Sequence, residues 1–109
     1  MTILEVETKQ EDGAVRLSLT EELDLSTVHK VEDELRRVEG EGAETVVLDL
    51  SSLSFLDSTG LRTIVTADQR ARKSGRRLAI VKGPETVHRV FTITRLDERL
   101  DMVCGADDV

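Results

Sequence analysis

At 109 residues the chain has the size of one domain, with enough material for a modest core without disulfide or metal staples. The hydrophobic share is 39% but aromatics are only 2%, so the core falls to Leu, Val, Ile and Ala, and little is left for stacking on nucleic-acid bases. A formal charge of −7 argues against a phosphate backbone as partner, and a single cysteine, Cys104, excludes an internal disulfide and points to a reducing compartment.

The chain opens on an alternating run, Ile3 to Lys9, with Leu4 and Val6 on one face and Glu5 and Glu7 on the other. Gln10-Glu11-Asp12-Gly13 reads as a turn, and Val15, Leu17 and Leu19 then repeat at period two, so a hairpin is expected. One wet face on each strand implies a sheet edge with helices on a single side. Thr20 to Leu25 reads as an exit loop, and Ser26-Thr27 as the cap of a first helix. In that helix Val28, Val31, Leu35 and Val38 form one stripe, with Glu32 facing Arg36 and Asp33 facing Arg37 outside. Gly40 and Gly42 end it.

Thr45 to Leu50 is almost wholly apolar, the mark of a central parallel strand, and Ser51-Ser52 reads as a polar turn after it. Phe55 and Leu56 follow, then Asp57-Ser58-Thr59, residues whose side-chain oxygens suit a helix start. Leu61, Ile64, Val65, Ala67 and Ala71 make the inner side of a second helix; Arg62, Thr66, Gln69, Arg70, Arg72 and Lys73 fall largely outside. Gly75 stops it, and Leu78-Ala79-Ile80-Val81 is the next strand. Pro84 suits a third helix start, with Val87, Val90, Phe91 and Ile93 inward; Leu96, Leu100, Met102 and Val103 suggest a short turn and strand before an acidic tail at Asp107-Asp108. Strand and helix alternation after a hairpin predicts one α/β domain over residues 1–109, a small mixed sheet joined by right-handed crossovers. No apolar run approaches the about 18 residues of a membrane span, and the start, Met1-Thr2-Ile3-Leu4-Glu5, turns charged at once, so a cytoplasmic protein is expected.

Catalysis finds little support. Ser58 as a nucleophile needs a base, yet His29 and His88 lie in the first and third helices with no motif tying either to it, and no Gly-x-Ser-x-Gly elbow surrounds it. Asp57-Ser58-Thr59-Gly60 is similar to the Asp-Thr/Ser-Gly string of aspartic proteases, but with one residue too many and no second copy. One cysteine and two distant histidines give no metal-ligand spacing, and Gly40 and Gly42 follow a helix rather than open one, so no phosphate loop is present. Both histidines read as surface or boundary residues and Cys104 as a packing residue. No metal, cofactor or enzymatic activity is expected. A small-molecule or lipid-binding module would want an apolar cleft, of which this aromatic-poor chain gives no sign.

A helix start carries unpaired N–H groups and a positive dipole end, so a serine placed there is a seat for a phosphate. On local pattern alone, Asp57-Ser58-Thr59 reads first as an ordinary capping cluster. Here a resemblance enters. Asp57-Ser58-Thr59-Gly60-Leu61, after Val46-Val47-Leu48-Asp49-Leu50 and Phe55, resembles the signature of STAS domains, the bacterial anti-sigma factor antagonists and their relatives. Glu22-Leu23-Asp24 is similar to the family's acidic-leucine-aspartate element, and Val90-Phe91 with Leu96 to its last helix and exit. The resemblance implies a small sheet with helices packed mainly on one face.

It further implies that Ser58 is phosphorylated by a partner kinase, with Thr59 in reserve, and that Asp57, Ser58, Thr59, Gly60, Asp24 and Arg62 meet the partner. That partner would be an anti-sigma factor with a histidine-kinase-like ATPase fold, holding the ATP and magnesium itself. A metal-dependent serine phosphatase would reverse the mark. The alternative within the fold is a docking subunit of a transporter or larger signalling assembly that is never phosphorylated. Two positions depart from the family pattern: Glu21 and Arg95 stand where it usually has glycine.

Overall fold

The computed structural model describes residues 3–105. Its elements run β1 (Leu4–Glu11), β2 (Ala14–Leu23), α1 (Val28–Gly40), β3 (Thr45–Leu56), α2 (Ser58–Lys73), β4 (Arg77–Val81), α3 (Glu85–Ile93), a 3₁₀ turn (Leu96–Glu98) and β5 (Asp101–Val103). The strands form one sheet in the order β1-β2-β3-β4-β5, with β1 antiparallel to β2 and the rest parallel. Strands added in one direction by right-handed crossovers must put every crossover helix on the same face. Accordingly Val31 and Leu35 of α1, Ile64 and Ala67 of α2, and Val87 and Phe91 of α3 share one core with Leu17, Leu48, Leu50 and Ile80 of the sheet. The expected α/β domain with helices packed on one face is what forms. Among the described residues no helix is long and apolar enough to cross a membrane.

The hairpin closes in two residues, Asp12 and Gly13, both at positive φ (44° and 83°), as a type I′ turn demands. Central β3 is longer than its apolar run. Ser51 and Ser52 continue the strand instead of turning. Two register shifts against β2 absorb an extra residue of β3 each, between Asp49 and Ser52 and between Leu53 and Phe55. Asp49 Oδ1 accepts the Ser51 N–H at 2.9 Å, and the Ser54 hydroxyl donates to the Glu21 carbonyl at 2.8 Å, so the serines serve the bulges. Because of them Leu50, Leu53 and Leu56 all face the core at a spacing of three. Thr20 to Leu23, read as a loop, is the end of β2, which accompanies β3 to Leu56.

Other expectations shift in detail. Thr27 precedes α1 but does not cap it; it is buried, its hydroxyl donating to the Glu22 carbonyl and accepting the Asp24 N–H, both at 3.0 Å. Glu32 meets Arg36 at 2.9 Å, whereas Arg37 turns from Asp33 to Glu34 (2.7 Å) and Glu41 (2.8 Å). Arg70 is drawn partly inward, its guanidinium held bidentately by Glu39 of α1 at 2.9 and 3.0 Å and paired with Glu32 at 3.1 Å, so one arginine clasps the two helices. Asp68 is buried and paired to Arg72 at 2.8 Å. Ile93, the last residue of α3, is exposed, and Cys104 is exposed as well. His29 is exposed and His88 half-buried; the tail at Asp107-Asp108 lies outside the described residues.

Glu21 and Arg95 both adopt positive φ, 85° and 61°. The backbone there keeps the left-handed shape that glycine takes freely, and a side chain has been fitted onto it.

Candidate functional site

Parallel strands β2 and β3 end side by side, Leu23 opposite Leu56, so the loops that follow them meet at the carboxyl edge of the sheet. Asp57 is the N-cap of α2: extended at φ −101°, it accepts the Gly60 N–H on Oδ1 at 2.8 Å. Its carbonyl takes the first helical bond, from the Leu61 N–H at 3.0 Å. Its second carboxylate oxygen crosses to the other loop and accepts the Leu25 N–H at 3.1 Å. The Asp57 N–H in turn donates to the Leu23 carbonyl at 3.2 Å. One residue thus fixes both the helix start and the loop beside it.

Ser58 is the first residue of α2 and is exposed. Its hydroxyl forms no hydrogen bond with another described residue, since Asp57 performs the capping. Thr59 is half-exposed, and its carbonyl accepts the Thr63 hydroxyl at 3.1 Å. Gly60 is buried: a Cβ there would stand 2.7 Å from Leu56 Cδ1 and 3.0 Å from the Leu23 carbonyl oxygen. Its absent side chain lets the helix start sit against the strand ends. Arg62 lies one turn beyond Ser58, exposed. Asp24 orders the neighbouring loop, its Oδ1 accepting the Ser26 N–H at 2.9 Å and hydroxyl at 2.7 Å. The structure therefore gathers Asp24, Asp57, Ser58, Thr59 and Gly60 at one edge of the sheet, with Gly60 inside it.

Two residues at this edge escape a reading by residue type. Leu25 is 74% exposed in the loop that Asp57 holds, and Phe55 is 46% exposed at the end of β3. Each is a large apolar side chain left at least partly in water. The signal available in the sequence was Leu25 itself, a large aliphatic side chain between Asp24 and Ser26 in an otherwise polar connection.

Known proteins share this architecture. The STAS domain profile matches residues 5–104. The anti-sigma-B factor antagonist of Staphylococcus epidermidis is 30% identical over 104 residues, 95% of this chain and 96% of that one. Among solved structures, an anti-sigma factor antagonist from Mycobacterium paratuberculosis superposes with a TM-score of 0.88 at 23% identity, covering 97% of this chain and 90% of its own. The anti-sigma factor antagonist SpoIIAA in its unphosphorylated form gives 0.81 at 20% identity, covering 95% and 91%. The phosphorylated form of SpoIIAA, a Bacillus cell fate determinant, gives 0.75 at 20% identity, covering 95% of each chain. At these identities the solved structures speak for the fold, while the profile and the staphylococcal relative speak for kinship. The chain is a member of the STAS-domain family of anti-sigma factor antagonists.

Proposed function

We propose that the protein is itself an anti-sigma factor antagonist, switched by phosphorylation of Ser58. Unmodified, it binds an anti-sigma factor that is also a serine kinase with a histidine-kinase-like ATPase fold, and a sigma factor is released. The kinase transfers phosphate to Ser58, the complex separates, and a metal-dependent serine phosphatase restores the antagonist. ATP and magnesium belong to the kinase. This chain works as a binding surface in solution, without chemistry of its own.

The observation that carries the reading is the division of labour between Asp57 and Ser58. If the cluster were only a cap, both side chains would serve the helix. Asp57 takes the whole task and leaves the Ser58 hydroxyl exposed and unengaged. That the fold relative SpoIIAA exists in phosphorylated and unphosphorylated forms supports the same reading.

A phosphoserine adds roughly −1.5 to −2 charges at neutral pH. At a helix start this charge is favoured by about 0.3–1 kcal/mol, so modification leaves the fold intact. Its effect falls on the interface. A dianion buried there without a counter-charge costs about 3–5 kcal/mol, a few hundred- to a few thousand-fold in affinity. Leu25 and Phe55 supply apolar contact for such an interface, and Asp24, Asp57, Thr59 and Arg62 its polar part.

The test is intact-mass spectrometry after incubation with magnesium, ATP and candidate anti-sigma kinases of the same cell. Wild type should gain one phosphate and Ser58→Ala none, while Ser58→Asp should fail to bind the kinase. No phosphate with any kinase, and normal binding by Ser58→Asp, would overturn the switch in favour of a constitutive docking subunit.

A further inference from the structure

At the end of the sheet opposite Ser58, the last turns of α1 and α2 and the starts of β3 and β4 enclose a cleft of about 380 Å³. Its floor is Leu35, Val46, Ala67 and Leu78, and Arg36, Arg70, Arg76 and Arg77 border it. We infer that this cleft binds a small amphipathic anion: a carboxylate or phosphate head on a compact apolar body.

The first reason is the charge left over. Arg36 is paired with Glu32, Arg70 with Glu39 and Glu32, and Arg77 with Asp101 at 2.6 Å. Four arginines against three carboxylates leave one positive charge, and it falls on Arg76. That residue is half-buried and has no ion pair or side-chain hydrogen bond with another described residue. Arg76 also borders a smaller neighbouring cleft containing Asp68 and Asp101, but those carboxylates are engaged by Arg72 and Arg77. A half-buried guanidinium with no anion forgoes the strong, charge-assisted bonds it is built to make.

The second reason is that the helix ends do not need these arginines. The carbonyls of Arg70 and Ala71 at the close of α2 accept the Ser74 N–H at 3.1 Å, and Ala71 accepts the Arg76 N–H at 2.8 Å. At the close of α1, Arg37, Val38 and Glu39 carbonyls accept from Glu41, Ala43 and Gly42. With the backbone satisfied, dipole compensation does not account for an unpaired arginine.

The third reason is preorganisation. Glu39 fixes Arg70 through two bonds and Glu32 Oε1 lies 3.1 Å from its buried Nη1, so this wall of the cleft is held rigid. A rigid wall, one unpaired cation and an apolar floor within a pocket of ordinary ligand size define the occupant's chemistry. The head meets Arg76, and the body lies against Ala67, Ala71 and the arginine stems.

The experiment is amide-resolved NMR titration of the intact protein with octanoate, octyl phosphate, neutral octanol and inorganic phosphate. Octanoate or octyl phosphate should shift the Gly40, Ala71 and Arg76 amides saturably, and the tighter of the two identifies the head group. Arg76→Gln should weaken that binding by about tenfold, the loss of one charge-assisted contact, and Arg76→Lys by less. Shifts with octanol or inorganic phosphate as strong as with the octyl anions, no shifts at all, or undiminished binding by Arg76→Gln would overturn the site. Ser58 lies at the far end of the sheet, so its phosphorylation in Arg76→Gln should match wild type, and the two readings fail separately.

Discussion

The carboxylate of Asp57 accepts the backbone N–H of Leu25 at 3.1 Å, across 32 residues of chain. This bond joins the helix that carries the phosphorylation candidate to the loop that carries the most exposed leucine. Asp57→Ala removes it together with the cap on Gly60. The expected cost is about 1–2 kcal/mol, read as a lower urea midpoint at unchanged slope. An unmoved midpoint would show that the cap is replaceable.

Leu25→Ser should leave thermal stability within about 0.5 kcal/mol of wild type, because its side chain already faces water, whereas Phe55→Ser, half-buried in β3, should cost about 1–2 kcal/mol. Their effect should appear in affinity for the anti-sigma factor, each losing tenfold or more, about 1.4 kcal/mol, by calorimetry. Wild-type affinity in both would remove these residues from the interface.

Gly60→Ala pits helix propensity against space. Alanine is favoured over glycine within helices by about 1 kcal/mol, but here its methyl would meet Leu56 Cδ1 at 2.7 Å and the Leu23 carbonyl oxygen at 3.0 Å. The backbone contact cannot yield by a rotamer change, so a net loss of about 1–3 kcal/mol is expected in denaturant unfolding. Gly40→Ala, with open space around it, should be neutral or stabilising.

Glu21→Gly and Arg95→Gly should go the other way. Left-handed backbone costs a side-chain-bearing residue about 1–2 kcal/mol, and glycine's greater freedom in the unfolded chain returns part of that. A net gain of up to about 1 kcal/mol is expected for each, seen as a melting temperature raised by a few degrees. Loss of partner affinity in the stabilised Glu21→Gly would identify what the strained glutamate is kept for.

Acid should weaken the fold through Glu34. Arg37, by two hydrogen bonds, and then the Thr8 hydroxyl lower its pKa from 4.5 to about 2. The folded value lies below the unfolded one, so the contribution is complete above pH 4.5 and is lost as pH falls toward 2. With Arg37 half in water, solvent screening holds the contribution to about 1 kcal/mol or less. Glu34→Gln should lose that much at neutral pH and show a flatter stability profile through the acid range.

Much of this architecture is legible in residue spacing. The hairpin follows from Asp12-Gly13, the helix stripes from Val31, Leu35 and Val38, and the start of α2 from Asp57. The differences have separate causes. Leu50, Leu53 and Leu56 recur every third residue, a spacing that fits neither a flat strand nor a helix, so two bulges read as a break. For Arg37, helical spacing offers Asp33, Glu34 and Glu41 alike, and three-dimensional placement decides among them. At the candidate site, residue types point to Ser58 and Asp57. The bond from Asp57 to the Leu25 N–H, and with it the place of Leu25, depends on a loop that spacing does not describe.

β3 outruns its neighbour. β4 accompanies it only from Thr45 to Asp49, and from Ser52 to Leu56 the strand is paired with β2 alone. On the other side β2 and β1 keep pace with it, Leu4 opposite Glu21 and Glu21 opposite Leu53, so the sheet forms a step and not a free tip. Ser58 opens its helix beside that step, and the phosphorylation proposed for it would use the strand-free flank as its approach.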